Sequence, residues 1–545
     1  MMAILHRGAP RRSSTDPGRS VLSNRGTGDR CAWRYGLEGT AGARQGGRVP
    51  TDPTSPKRSA GISPVNGRAS RSSAIAWRRA TAPGRTGLPL ATTLLFAFLL
   101  GSTTALTEAT AQPTGDPAQL GPIDQRLMPI WNESNLAPAP RCDDATFVRR
   151  VSLDLIGRGP TLAETEAFLA EPNREALVDR LLASPDFAAH WAELWAGHLF
   201  GDDRSTERLT IQMWLEESFE RREPFDRLVT ELIAAEGESA FEAPVNFLLA
   251  RGDEPAIPVS RLFLGVRLDC ARCHDHPFDR WTQEDFREFS RFFEGLERSE
   301  VSPGNTRLSE PTRSGDEPAP RFLTGAQPKT GRWRAELAYF LTRSKPFARN
   351  FANRIWYHLF GIGIVDPPDD VHAENPAIAP ELLEWLAAEA RRTEFDPRHL
   401  IRLICASRAY QARTADPNDP HAADARRRFA ARSIKPLTAE QWYDSMTVAL
   451  DTTSRLDERV EFARQFRGEM DGSRLGATWE YSETLGGLLE RLAADTSPPT
   501  DDHEELFLRL LARRPTDEER ERFRRRSAGD VVFVLLHSHE FSFVP

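Results

Sequence analysis

The segment Leu264–Phe293, LGVRLDCARCHDHPFDRWTQEDFREFSRFF, constrains the chain most, because it couples reactive chemistry to a well-marked helix start. Cys270, Cys273 and His274 form C-x-x-C-H, a pattern in which two thiols can add to the vinyl groups of a haem while the adjoining imidazole becomes an axial iron ligand. Thr282 stands where an N-cap would, Asp285 at N3, and Trp281 and Phe286 have hydrophobic-staple spacing. Phe286, Phe289 and Phe293 recur at helical spacing and predict a stripe facing a core. The cysteine loop should therefore lean on a rigid helix.

The same helical rhythm runs through most of the chain. Segments such as NREALVDRLLASPDFAAHWAELWAGHLF and ERLTIQMWLEESFERREPFDRLVTELIAAEG keep apolar residues at i, i+3 and i+4. Thr161 with Glu164, Thr438 with Gln441 and Thr516 with Glu519 have capping-box spacing. The expected fold is mainly α, with two packed helical domains at residues 141–298 and 333–545. Residues 299–332, rich in Pro, Gly, Ser and Thr, read as a linker between them. VVFVLL, from Val531, is compatible with a buried helix or a strand.

Ahead of these domains, residues 1–85 show no apolar periodicity and read as a disordered basic extension. Residues 86–111 contain LPLATTLLFAFLLG and end on Ala109-Thr-Ala111, the signature of a signal peptide or a membrane anchor, and residues 112–140 read as a spacer. The first 111 residues carry 16 Lys or Arg and 5 Asp or Glu, leaving 55 basic and 74 acidic residues in the remainder, a net charge near −19. So acidic a body argues against nucleic acid as partner. Contact with a membrane is expected only if the apolar segment stays uncleaved. Export to the periplasm or cell surface suits thiol–haem attachment and permits disulfides, so Cys142 and Cys405 read as either a disulfide or two buried thiols.

Three readings of the C-x-x-C-H stand side by side. It can carry covalent haem, with His274 as the proximal iron ligand, for periplasmic electron transfer or redox chemistry with an unknown redox partner. It can instead hold zinc on Cys270, Cys273 and His274 or His276, or form a disulfide, in a non-haem exported metal-dependent hydrolase or a structural/interaction protein of an exported assembly. A haem iron also needs a sixth ligand or an open position. His190 and His198, eight apart on one predicted helix and near one face, are candidates for that role, as is His358; His276 suits a loop or supporting position. A histidine beside Trp191 or Trp195 is also an ordinary core histidine.

Asp275, Asp279, Arg280, Glu284 and Asp285 crowd the motif, as propionate or cation partners or as a local capping network. A second polar concentration holds Asn353, Arg354, His358, Asp366, Asp369, Asp370 and Asn375. Its VDPPDD loop admits a carboxylate-pair hydrolase or a structural turn. No P-loop, no G-x-S-x-G, no H-E-x-x-H and no internal repeat is visible, which narrows the field.

Several blocks together resemble a known pair of domains: TFVRRVSLDLIGRGPT, the AHW around His190, LGVRLDCARCHDHPFDRWTQEDF, FARNFANRIWYHLFGIGIVDPPDD, ENPAIAPELLEWLA, SRAYQ and LTAEQWYDSM. The first part resembles the planctomycete cytochrome-c-like domain family of unknown function, and the second its companion planctomycete-specific C-terminal domain of unknown function. The resemblance spans most of residues 141–545 and implies a large exported protein without a settled activity. Its cytochrome label rests on the C-x-x-C-H itself.

Overall fold

The computed structural model describes residues 120–201, 205–252, 254–311, 313, 317–468 and 498–545. The extension, the signal or anchor segment and the start of the spacer lie outside the described residues. Within them the protein is mainly α, as the apolar rhythm predicts. No described helix is long and apolar enough to cross a membrane.

The helices are α1 (Pro122–Glu133), α2 (Asp144–Ile156), α3 (Leu162–Ala170), α4 (Arg174–Leu182), α5 (Pro185–Phe200), α6 (Thr206–Glu220), α7 (Phe225–Ala234) and α8 (Val245–Ala250). A short α9 (Ala256–Val259) runs into a π turn at Ser260–Leu264, and α10 (Gln283–Ser290) follows the cysteine loop. Then come α11 (Trp333–Arg343), α12 (Lys345–Phe360), α13 (Pro380–Arg392), α14 (Pro397–Ala406), α15 (Arg408–Gln411) and α16 (Ala422–Arg427). The last are α17 (Ala439–Ala449), α18 (Leu456–Gly468), α19 (His503–Leu511), α20 (Asp517–Phe523), α21 (Ala528–Leu536) and α22 (His539–Ser542).

All four capping boxes form: Thr161–Glu164, Thr282–Asp285, Thr438–Gln441 and Thr516–Glu519. Each satisfies two N–H groups that a helix start leaves without partners. VVFVLL is a helix, because a further box between Ser527 and Asp530 starts α21 and Val531, Val532, Leu535 and Leu536 bury one face.

The structure departs from the sequence reading in three places. The expected spacer contains α1, whose Ile123, Leu127 and Trp131 form an i, i+4, i+8 stripe that Pro122 and Pro129 mask to the eye. The expected linker at 299–332 begins with an antiparallel hairpin, β2 (Glu297–Ser302) and β3 (Asn305–Ser309), turning at Gly304, which has φ +76°. β3 also pairs with β1 (Gly237–Glu238), opposite Leu308, whose side chain is fully buried. The hydrophobic clusters, finally, do not divide at 299–332. One runs from Ile123 to Ala431 and includes Ala512; the other is built from Leu437 to Val544 with Leu153 of α2.

The two sequence segments are thus interleaved. α7 packs on α11, α4 on α14, α1 on α13 and α3 on α19. The chain end returns as β5 (Phe543–Val544) beside β4 (Lys435–Pro436). Arg150 of α2 donates to the Pro545, Tyr410 and Ala412 carbonyls, at 2.7, 2.5 and 3.0 Å, and so ties three distant stretches together.

Candidate functional site

The cysteine loop is a surface feature anchored from below. Cys270 opens a single 3-10 turn to Arg272, and Cys270, Cys273 and His274 are all exposed, with both thiols free. Gln283 of α10 donates through Nε2 to the Arg272 and Cys273 carbonyls at 3.2 and 3.1 Å, while its backbone N–H donates to Asp275 Oδ1 at 2.9 Å. The His276 N–H donates to the Trp281 carbonyl at 2.8 Å, and its Nδ1 accepts from the Phe278 N–H at 3.2 Å. His276 is therefore a loop-closing residue. Phe289 is fully buried and Trp281, Phe286 and Phe293 nearly so, as their spacing predicts.

His274 Nδ1 lies 2.8 Å from the carbonyl of Asp275. A carbonyl can only accept, so Nδ1 is the donor in this contact, and Nε2 is the ring nitrogen left over for a ligand. Asp275, Asp279 and Asp285 serve as local turn and cap acceptors, and the Arg280 guanidinium stacks over Trp281 at 4.4 Å. The acidic crowd is a capping network. Arg272 reaches Glu254 Oε2 at 2.8 Å.

Glu254 connects the loop to a cleft of about 670 Å³. His198, Ile257, Arg261, Arg354, Tyr357 and Asp369 are among its walls. A smaller cleft of about 370 Å³ touches Trp281 on one side and Asn350, Asn353 and His372 on the other. The blocks CHDHPFDRW, ARNFANRIWYHLF and VDPPDDVHAENP, far apart in sequence, thus share one region.

Helix α12 organises this region. Asn353 clamps the following loop by accepting from the Val365 N–H at 3.0 Å and donating to its carbonyl at 2.8 Å. Asn350 and Arg354 donate to the Leu262 carbonyl at 2.6 and 3.1 Å, and Arg354 Nη2 to the Arg261 carbonyl at 3.1 Å. These carbonyls end the π turn and would otherwise lack partners. Burial pushes the Arg354 guanidinium down to about 10.

The VDPPDD loop follows its structural reading. Asp369 accepts from Arg261 Nε at 2.9 Å and Arg267 Nη2 at 3.1 Å. Burial raises its carboxyl, but the hydrogen bonds and charges of the two arginines outweigh that and hold it below the usual range. Asp370 faces Arg267 at 3.6 Å and His372 at 3.8 Å. Asp366 accepts from the Gly363 N–H, and Asn375 donates to the Asp366 and Asp370 carbonyls. These carboxylates brace a turn.

His190 and His198 both point inward from α5, into different surroundings. His190 is packed against Gly157, whose φ is +72° and where an added Cβ would lie 2.4 Å from the imidazole Nδ1. It bonds the Asp154 backbone, and burial pushes its pKa down to about 3. His198 borders the large cleft and meets His358 of α12, Nε2 to Nε2, at 2.9 Å. Burial lowers His198 to about 3 and His358 well below its ordinary value. The His358 contact carried no sequence signal, since its partner lies 160 residues away.

Next to His190 lies a buried charge network. Asp154 accepts from Tyr410 Oη at 2.8 Å, pairs with Lys435, and lies 3.6 Å from Arg432. Lys435 also donates to the His358 carbonyl at 2.6 Å. Burial lowers Lys435, with Asp154 opposing, and raises Tyr410 well above its usual value. Cys142 and Cys405 are buried free thiols, and burial raises Cys405 strongly. Among the described residues no three His, Cys, Asp or Glu side chains converge as a metal site.

Fold and site together define a mainly helical protein with a dithiol–imidazole loop at the seam of two interleaved segments. Residues 122–298 match PSCyt2, a protein of unknown function (DUF1549), and residues 333–474 match PSD1, a protein of unknown function (DUF1553). The chain belongs to the family of proteins that carry this domain pair, in this order. No curated protein and no solved structure matches it significantly.

Proposed function

We propose that the chain is an exported c-type haem protein, with haem bound through Cys270, Cys273 and His274, acting in periplasmic electron transfer or redox chemistry. One observation carries this reading: the His274 imidazole is held by the Asp275 carbonyl at Nδ1, which leaves Nε2 free as a ligand atom, while both thiols of the same loop are free and exposed. The residues present fit the group. When bound, haem would supply one-electron chemistry.

The chain's own residues hold the attachment loop in shape, through Gln283 on its carbonyls and the closure at His276. For a sixth ligand, His198 suits the role better than His190, because it borders a cleft whereas His190 is walled in by Gly157. His198 would have to give up its contact with His358. The apolar segment at 86–111, with the pattern of a signal peptide or membrane anchor, supports export to the compartment in which such attachment is completed.

The test is a haem stain on a denaturing gel with a pyridine haemochrome spectrum, on protein made in a host able to mature c-type cytochromes. A stained band lost in Cys273→Ala is expected. A colourless wild-type protein, or full haem in Cys273→Ala, overturns the reading.

A second reading rests on the two thiols themselves, both free and exposed in one short loop. Such a pair can close a Cys270–Cys273 disulfide in a non-haem interaction protein. Mass spectrometry showing that disulfide in a colourless protein would select it. The zinc-site and hydrolase alternative has no convergent set of three such ligands among the described residues.

A further inference from the structure

We infer that the 670 Å³ cleft binds a small oxyanion, a carboxylate or phosphate-type group, on Arg354 with Tyr357 and Arg261 beside it. Arg354 is 4% exposed, and its Nε and Nη2 already donate to the Leu262 and Arg261 carbonyls. Among the described residues Nη1 has no acceptor and no carboxylate lies within ion-pair distance, Asp369 acting on the group only from further off. A buried cation whose hydrogen bonds all go to neutral carbonyls is costly, and an anion delivered to it relieves that cost.

Other buried arginines, Arg149 and Arg398, also donate to backbone carbonyls, but neither borders this cleft. What singles out Arg354 is the company it keeps. Tyr357, one turn further along α12, lines the cleft and its hydroxyl has no hydrogen-bond partner among the described residues. Arg261 gives Nε and Nη2 to Asp369 and keeps Nη1.

Both acids of the lining already have partners: Glu254 is paired with Arg272, and Asp369 with Arg261 and Arg267. Guanidinium and hydroxyl donors so placed are the chemistry that recognises oxyanions. The volume lies within the usual range for small-molecule sites.

This inference does not rest on the haem reading. The anion has two possible sources with one chemistry, a free solute or the propionates of a haem on the neighbouring loop. Isothermal titration with inorganic phosphate separates them, using the full chain in its haem-free Cys270→Ala/Cys273→Ala form and as wild type matured with haem. Saturable binding to the haem-free chain is expected, weakened roughly tenfold in Arg354→Lys and severalfold in Tyr357→Phe, each added to that chain.

Tyr357→Phe guards against misfolding, since it removes one hydroxyl and leaves the Arg354 carbonyl contacts in place. Binding lost only in the haem-loaded chain assigns the site to the propionates; binding kept in both assigns it to a free solute. Should the matured wild type carry no haem, the haem-free chain still decides the matter. Absence of saturable binding up to tens of millimolar, or affinity unchanged in both variants, overturns the inference.

Discussion

His198 and His358 face each other at 2.9 Å, Nε2 to Nε2, where α5 meets α12 at the wall of the large cleft. A single hydrogen bond between two imidazoles requires that at least one be neutral, and the lowered values of both keep the pair uncharged. With His190 beside Asp154, three histidines are held neutral by burial.

Stability should therefore fall on mild acidification. Once unfolded, each histidine takes up a proton below about 6.5, whereas in the folded chain His190 and His198 resist down to about 3. The unfolded state binds more protons across that interval, so stability is full above about 6.5 and declines as pH falls towards 3, by at most about 1.4 kcal/mol per pH unit for each histidine. Urea midpoints at pH 7, 6 and 5 read this largely apart from the carboxylates. A midpoint that does not move over that range would refute the burial of these rings.

Gly157→Ala should be far more damaging than Gly304→Ala. Both glycines have positive φ, +72° and +76°, so both variants bear backbone strain of about 1 kcal/mol. Only at Gly157 does the new Cβ also collide with a buried ring, 2.4 Å from His190 Nδ1, while nothing lies within 4 Å at Gly304. An additional loss of about 1–3 kcal/mol is expected there. Thermal melting of the two variants side by side gives the comparison, and equal losses would contradict it.

Asp154→Asn leaves Lys435 and Arg432 buried without their carboxylate, and should destabilise the chain by about 3–5 kcal/mol. Combining it with Lys435→Met should recover part of that loss, because the orphaned cation is then absent. A double-mutant cycle by chemical denaturation measures the coupling. Strict additivity would mean that the pair does not act as one network.

In the reduced, haem-free chain, brief alkylation under native conditions should label Cys270 and Cys273 and spare Cys142 and Cys405, which are buried. Peptide mass mapping reads the pattern directly. Gln283→Ala removes the donor to the Arg272 and Cys273 carbonyls and should loosen the loop, seen as faster amide exchange over residues 270–276. Unchanged exchange would show that the loop is held by other means.

Much of the cysteine loop was legible in the sequence, because its supports are local. Thr282, Asp285 and the Phe286–Phe289–Phe293 stripe act within one or two helical turns, and the structure realises each of them. The hairpin at β2–β3 was not, since its exposed strand ERSEVS lacks alternation and the anchor Leu308 has its partner strand near Gly237. The cleft was legible only in fragments: Arg354, His358 and Asp369 stood out as polar residues among aromatics, with nothing to say what they faced.

Helix starts, the capped support behind Cys270 and Cys273, and the apolar faces follow from the sequence by itself, through interactions that span a few residues. The joining of His198 to His358, of Asp369 to Arg261 and Arg267, and of Arg354 and Tyr357 around one cleft belongs to the tertiary structure alone. These groups meet because α5, the π turn and α12 share one core, and contacts that close over roughly a hundred residues leave no periodic trace in any one segment.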